Sequence, residues 1–311
     1  MNRQLAIAIV GPTASGKTDF ALQLALKVGG ELVCMDSTTV YRGFDIGSSK
    51  PSAREQAMVK HHLLDILDPN DTFSAGNFVK LADECITEIH ARGKLPIVVG
   101  GTYFYLRALQ NGMYQTPVIA NEVIEQIEKE YFEEEAINTE KMHSDLKEKD
   151  PISAEAIHPN DRYRLVRALA VLRTTQELPS AQKASPLSEA QKTRLWLKYA
   201  IAVSRHTLSD WIVRRTDKMI QDGLVEETRK LKGLAPDSRA LQSIGYSEAS
   251  RFLENNLSDK AMRNEVIEKT RQLAKRQITW LRSDPEVRYI DSRDLDRVCL
   301  EIENLKFALK G

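Results

Sequence analysis

The sequence predicts an α/β protein, a P-loop-type parallel sheet core with an inserted, mainly helical subdomain. Three observations carry this. Apolar runs without polar alternation recur at 4–10, 31–36 and 95–101, as they do in strands buried on both faces. Helical patterns lie between them, the β-α-β order of a parallel sheet. A charged stretch without strand-like character, 120–150, then breaks that order.

The elements follow in sequence. QLAIAIV (4–10) reads as a buried strand ended by Gly11-Pro12. Phe20, Leu22, Leu24, Ala25 and Val28 mark a helix over 17–28, which Gly29-Gly30 stops. ELVCMD (31–36) is a second strand. Phe78, Leu81, Ala82, Cys85, Ile86 and Ile89 give one face of a helix over 76–92, with Gly93 beyond its end, and LPIVVGG (95–101) is a third strand. Residues 120–150 hold 11 acidic and 4 basic residues and read as solvated helices; 161–174 read as a basic helix. Strand character returns in LWLKYAIAV (195–203). Helices then fill 207–280, interrupted at 233–236, and a short strand VRYI and a last helix close the chain. The expected division is a core of 1–117 and 198–311, with 118–197 inserted.

Composition bounds the function. The 311 residues include 44 Lys+Arg and 44 Asp+Glu, with 42% hydrophobic and 28% charged residues, which excludes disordered and collagen-like chains. A zero net charge argues at first against nucleic acid, but a total hides its distribution. Residues 1–119 are balanced at 11 basic and 11 acidic, and 120–150 carry −7. Residues 158–205 hold 9 basic and 3 acidic, and 206–282 hold 15 and 11. The zero is a cancellation of one acidic segment against two basic ones. Cys34, Cys85 and Cys299 lack metal-ligand or redox spacing, which suits a reducing compartment. No apolar run nears the roughly 20 residues of a membrane span, and the N-terminus lacks a signal-peptide pattern, so a cytoplasmic protein without a membrane partner is expected.

Gly11-Pro12-Thr13-Ala14-Ser15-Gly16-Lys17-Thr18 satisfies G-x-x-x-x-G-K-[ST] between a strand and a helix. Such a loop turns successive N–H groups into one concavity, and the helix N-terminus adds positive charge, so it binds an oligophosphate. Lys17 reaches outer phosphate oxygens and the Thr18 hydroxyl can ligate Mg²⁺. The third strand ends VVGGT without the acidic residue usual in NTPases, which leaves room for a diphosphate that is a leaving group. Asp36 closes the second strand, and Thr102 follows Gly100-Gly101. Ligands of open α/β sheets sit at the carboxyl ends of strands, so both residues should face the phosphate loop. From position, Asp36 is a general base, a Mg²⁺ ligand or a helix N-cap; Thr102 positions an acceptor or shapes a turn.

Beyond these, GPTASGKT (11–18), DSTTVYRGFDIGSSKP (36–51), HHLLDILDP (61–69), VVGGTYFYLRAL (98–109), IHPNDRYRLVRAL (157–169), SIGYSEA (243–249) and TRQLAKRQITWLR (270–282) resemble the tRNA dimethylallyltransferase, or isopentenyl-tRNA transferase, family in order over nearly the whole chain. The resemblance implies transfer of a dimethylallyl group from dimethylallyl diphosphate, with Mg²⁺, to N6 of an adenosine. That adenosine lies immediately 3′ of the anticodon, in tRNAs reading codons that begin with U. Asp36 matches the family's catalytic carboxylate, Thr102 the orienting hydroxyl, and Arg215 the second arginine of a pair whose first falls here on Trp211. Thr39 stands where the family usually has Gln, and Tyr103 where it often has Gly; packing is the favoured reading for that ring. The implied tRNA contacts are Asp36, Ser37, Thr38 and Thr39, Thr102, Asn160, Asp161, Arg162, Tyr163 and Arg164. They continue in Gln242, Ser243, Ile244, Gly245, Tyr246 and Ser247, where Tyr246 stacks or packs, and in Arg271, Lys275 and Arg276. The partner is a tRNA anticodon stem-loop, and a monomer is expected. Two other functions compete: prenyl transfer to a free adenine nucleotide or phosphoryl transfer by a small-molecule kinase, and RNA binding without catalysis.

Overall fold

The first strand, β1 (Gln4–Val10), has six of its seven residues buried, as a parallel strand covered on both faces requires. The computed structural model describes residues 4–112, 119–133, 136–181 and 187–309. After the glycine loop comes α1 (Lys17–Val28), whose end is set by left-handed Gly29 donating its N–H to Ala25 O. Then follow β2 (Gly30–Met35), α2 (Ala53–Met58), β3 (His61–His62), α3 (Ala75–Ala91), β4 (Leu95–Gly100) and α4 (Tyr103–Asn111). Helices α2 and α3 begin at capping boxes, Ser52 with Glu55 and Ser74 with Asn77.

The chain divides into two compact units, 1–111 with 187–311, and 112–186. The expected boundary at 117/118 lies outside the described residues. The expected boundary at 197/198 falls inside a strand of the first unit's sheet, which runs over 194–201. The second unit contains α5 (Asn121–Glu130), a two-stranded antiparallel ladder of β5 (Phe132–Glu133) and β6 (Ala136–Ile137), α6 (Thr139–Lys149), α7 (Pro151–Ala156) and α8 (Arg162–Thr175). The small ladder gives no alternation long enough to read in sequence. Ile127, Tyr131, Met142, Leu146, Leu165 and Leu169 form this unit's core. Buried Asp150 starts α7 by accepting from Ser153 N and also receives Ser180 N–H.

Back in the first unit are α9 (Glu189–Thr193), β7 (Arg194–Ile201), α10 (Arg205–Gln221), α11 (Leu224–Leu234), α12 (Tyr246–Leu253), α13 (Asp259–Arg282), β8 (Val287–Ile290) and α14 (Leu295–Ala308). The six-stranded sheet runs β3-β2-β4-β1-β7-β8, every adjacent pair parallel. Gly100 pairs with both Val10 and Met35, so β1, β2 and β4 end level. That register puts the glycine loop, Asp36 and Thr102 on one edge of the sheet.

Side-chain alternation splits the sheet between two cores. Ile7, Ile9 and Leu32 face Phe20 and Leu24 of α1 and Val298 and Ile302 of α14. Ala8, Val10, Val33 and Val98 face Phe78, Ile86 and Ile89 of α3 and Leu106 and Leu109 of α4. At the sheet edge, buried Glu31 accepts from His62 (2.7 Å), Arg92 (2.8 Å) and Lys94 (3.1 Å). Burial alone would raise its carboxyl, but these hydrogen bonds and the Arg92 charge hold it down at about 2. Above the sheet, Leu208 and Ile212 of α10 pack on Ile267 and Ala274 of α13. Among the described residues no helix is long and apolar enough to cross a membrane.

Candidate active site

A cavity of about 580 Å³ opens at the carboxyl ends of β1, β2 and β4. Thr13, Lys17 and Thr18 line it from the loop after β1, Asp36 to Thr39 from the turn after β2, and Gly101 and Thr102 from the turn after β4. Ile212 and Arg215 of α10, Ser243 and Ile244, and Arg276 and Gln277 of α13 close its other side.

The glycine loop is wound tightly. Gly16 sits at φ +80°, in the left-handed region that its missing Cβ permits. Ser15 N–H and Lys17 Nζ both donate to Pro12 O at 3.2 Å. The Ser15 hydroxyl is buried with no partner among the described residues. Burial, reinforced by the nearby Arg215 charge and opposed by Asp36, pushes the Lys17 ammonium down to about 8. Arg215 donates to the Thr13 hydroxyl at 2.7 Å, and burial lowers its guanidinium as well. Two cations and one carboxylate therefore share a partly dehydrated space.

Asp36 has two faces. Its Oδ1 accepts from Thr38 N (2.7 Å) and Thr39 N (3.3 Å) and so shapes the turn after β2. Its Oδ2 takes no hydrogen bond among the described residues. The helix-cap reading does not hold, because the next helix begins only at Ala53; Oδ1 braces a turn, and the acid–base reading has the other oxygen to use. Thr102, half-buried, accepts at its carbonyl from Tyr105 N in the first turn of α4. Thr39 is 6% exposed, and its hydroxyl is buried beside the cavity without a partner among the described residues.

The other expected site residues divide. Tyr103 packs: it is 3% exposed, and its hydroxyl donates to Asp284, which also receives Lys198 at 2.6 Å. Tyr246 is fully buried, its ring edge-on to Phe44 at 4.9 Å and its hydroxyl donating to Glu227 at 2.6 Å. It is a core ring and offers no face for a base, because α12 turns it toward the loop after β2. Gly245 is buried at φ +97°, and the Ser247 hydroxyl donates to buried Glu248. Gln242, Ser243 and Ile244 reach the cavity. Arg276 also reaches it, while Arg271 and Lys275 lie exposed on α13, with Arg271 Nε donating to Ser209 at 3.0 Å. Trp211 and Arg214 are exposed, outside the cavity lining. In the second unit, Tyr163 is 79% exposed at the start of α8. Asp161 caps that helix through Arg164 N, Arg162 pairs with Glu128, and Asn160 is exposed. His61 and Gln277 also line the cavity; both lie in blocks that carry the family resemblance, the His61-His62 pair reading there as structural or ligand-adjacent rather than as a metal site, and Gln277 with no role of its own. His61 arrives through the pairing of β3 with β2, and Gln277 through α13.

This fold and site define a class: parallel α/β proteins with a G-x-x-x-x-G-K-[ST] loop at the mouth of a cavity that also holds a carboxylate. Comparison narrows the class. The family described as IPP transferase matches residues 39–284. A tRNA dimethylallyltransferase of Geobacter sulfurreducens is 40% identical over 294 residues, covering 92% of this chain and 91% of that protein. One from Desulfosudis oleivorans is 37% identical, covering 94% and 92%. The full-length tRNA isopentenylpyrophosphate transferase of Bacillus halodurans superposes with a TM-score of 0.69 at 35% identity, covering 99% of this chain and 96% of its own. A eukaryotic dimethylallyltransferase acting on tRNA gives 0.75 at 26% identity, covering 94% and 75%. The chain belongs to the IPP transferase family, and it is an enzyme, a transferase.

Proposed function

We propose that this enzyme prenylates tRNA: it moves the dimethylallyl group of dimethylallyl diphosphate to N6 of the adenosine immediately 3′ of the anticodon, in tRNAs reading codons that begin with U. Family membership and the names of its relatives support tRNA prenylation. The observation that carries the chemistry is the gathering of Lys17, Asp36, Thr102 and Arg215 around one cavity at the glycine loop.

An exocyclic adenine amine is a weak nucleophile because its lone pair is shared with the ring. It attacks C1 of the prenyl group as the C1–oxygen bond to diphosphate breaks, and its proton passes to Asp36 Oδ2. The Thr102 hydroxyl orients the amine or the diphosphate. Negative charge grows on the bridging oxygen, where Lys17, Arg215 and the loop N–H groups stabilise it. Their partial dehydration strengthens that effect. An adenine must leave its stack to enter such a cavity, and the exposed bases and phosphates beside it need cations and aromatic faces. Arg271, Lys275 and Arg276 supply such cations and Gln242 to Ile244 reach the cavity; in the second unit, the exposed start of α8 at Asn160 to Arg164 offers a further RNA contact.

Mg²⁺ fits the donors present. It binds through one or two protein oxygens together with substrate phosphates and water. Thr18 and Asp36 both line the cavity. The described residues contain no cluster of three His, Cys, Asp or Glu that would form a closed metal cage. Thr18 would hold the ion, which supplies positive charge against the diphosphate oxygens. A monomer acting in the cytoplasm completes the reading; the three unpaired cysteines suit a reducing compartment.

The test is transfer of labelled dimethylallyl diphosphate, with Mg²⁺, to bulk tRNA or to AMP. Label is expected on tRNA; label on AMP alone overturns the proposal. Asp36→Asn keeps an acceptor for the Thr38 and Thr39 amides but cannot take the proton. It is expected to lower transfer at least ~100-fold while leaving tRNA affinity within about twofold.

A further inference from the structure

The glycine loop and the β4–α4 turn leave the sheet side by side, since Val10 and Gly100 are the last ladder pair of β1 and β4. Beyond that pair the ladder hydrogen bonds stop, and backbone groups on both loops need other partners. One side chain meets this need. Gln277 of α13 accepts from Thr13 N–H through Oε1 at 2.7 Å and donates through Nε2 to Gly101 O at 3.0 Å. Its amide sits between the loops as a further peptide group would. The neighbours are shaped to admit it, because a Cβ on Gly101 would come within 2.4 Å of Gln277 Nε2. The two residues it joins are the immediate neighbours of the chemistry. Thr13 also receives Arg215 on its hydroxyl at 2.7 Å, and Gly101 precedes Thr102.

We infer that Gln277 is a positioning residue, a side-chain clamp that sets the spacing between the diphosphate-holding loop and the turn carrying Thr102. Only an amide does this, because it offers an acceptor and a donor in one fixed plane. Glutamate lacks the donor, and methionine of similar length lacks both. The inference rests on the prenyl-transfer reading for its rate effect but not for its structural effect.

The experiment compares the full chain with Gln277→Met and Gln277→Glu in three measurements: single-turnover transfer from dimethylallyl diphosphate to tRNA, binding of inorganic diphosphate with Mg²⁺, and hydrogen exchange at the Thr13 amide. Gln277→Met is expected to slow transfer about tenfold or more, since misplacement near 1 Å has effects of that order or larger. It should also weaken diphosphate binding and expose the Thr13 amide to fast exchange, with tRNA affinity and melting temperature little changed. Gln277→Glu should keep the Thr13 amide protected and bind diphosphate more nearly as the parent does, yet transfer slowly, because its carboxylate faces the Gly101 carbonyl. A protected Thr13 amide in Gln277→Met, or unchanged transfer with unchanged diphosphate binding in both variants, overturns the clamp. If Gln277→Met does not fold, the split between binding and rate in Gln277→Glu decides. If the parent protein transfers nothing to tRNA, the prenyl-transfer reading fails, while Thr13 exchange and diphosphate affinity still decide the clamp.

Discussion

Lys17 shows how one residue's surroundings set a measurable pH limit. Its ammonium lies buried against Arg215, and these two effects, only partly offset by Asp36, bring its pKa down to about 8 from the usual 10.5. Lysine is a cation below its pKa, so raising the pH through this value removes the charge that, on the proposed reading, faces the diphosphate. Affinity for dimethylallyl diphosphate is therefore expected to be flat near neutrality and to fall as the pH rises beyond about 8, as titrations between pH 7 and 9.5 would record. In Lys17→Met the affinity should be lower throughout and the fall above pH 8 should vanish. The same loss in the variant would assign the titration elsewhere. The linkage has the opposite sign for stability. The folded pKa is depressed, so the unfolded chain binds more protons between about 8 and 10.5, and stability from this group rises with pH across that window. Binding and folding thus respond to Lys17 in opposite directions, as expected of a cation held for a ligand.

Among the elements, the end of β4 is the most tightly constrained. Gly100 pairs with Met35 across the sheet, and a Cβ there would lie 2.0 Å from Met35 O. The obstacle is backbone in a central strand, so no rotamer change relieves it. Gly100→Ala should cost about 3 kcal/mol or more in urea unfolding, and transfer should fall with it because Thr102 is two residues on. A loss below about 0.5 kcal/mol, the range of ordinary surface changes, would show that the β2–β4 contact is looser than this. The strands and long helices were legible because burial on both faces and a single apolar stripe leave different periods. Thus α3 and α8 fall within a residue of the expected ranges, at Ala75–Ala91 and Arg162–Thr175. The phosphate loop, Asp36 and Thr102 were legible because a parallel sheet fixes which ends of its strands share an edge. Gln277 was not, since its role depends on where α13 passes the ends of β1 and β4. Tyr246 illustrates the same limit: a tyrosine beside a glycine suits stacking or packing equally until the helix direction is known.

At the scale of the whole molecule, the distribution of charge is more informative than its neutral total. Residues 120–150 carry −7, while 158–205 and 206–282 carry +6 and +4. Many of these charges are paired locally, as Arg162 is with Glu128, Arg263 with Asp217 and Lys269 with Glu248. Such pairs add little to an RNA surface. On α13, by contrast, Arg271 is held only by a serine hydroxyl, and Lys275 and Arg276 form no ion pair among the described residues. A phosphate backbone binds such cations by releasing counterions, at roughly 0.7 to 0.9 of a log unit in salt dependence for each contact. Affinity for tRNA is thus expected to fall steeply between about 50 and 200 mM salt despite the zero net charge. Arg271→Ala with Lys275→Ala should reduce the slope of log affinity against log salt by between about 1 and 2, with a uniform loss across tRNA sequences. Alanine at Arg263, whose partner Asp217 would be left behind, should change the slope much less. A flat response in the parent protein, or equal slopes in parent and double variant, would remove α13 from the RNA surface and leave the contacts to α8 and the 242–247 segment.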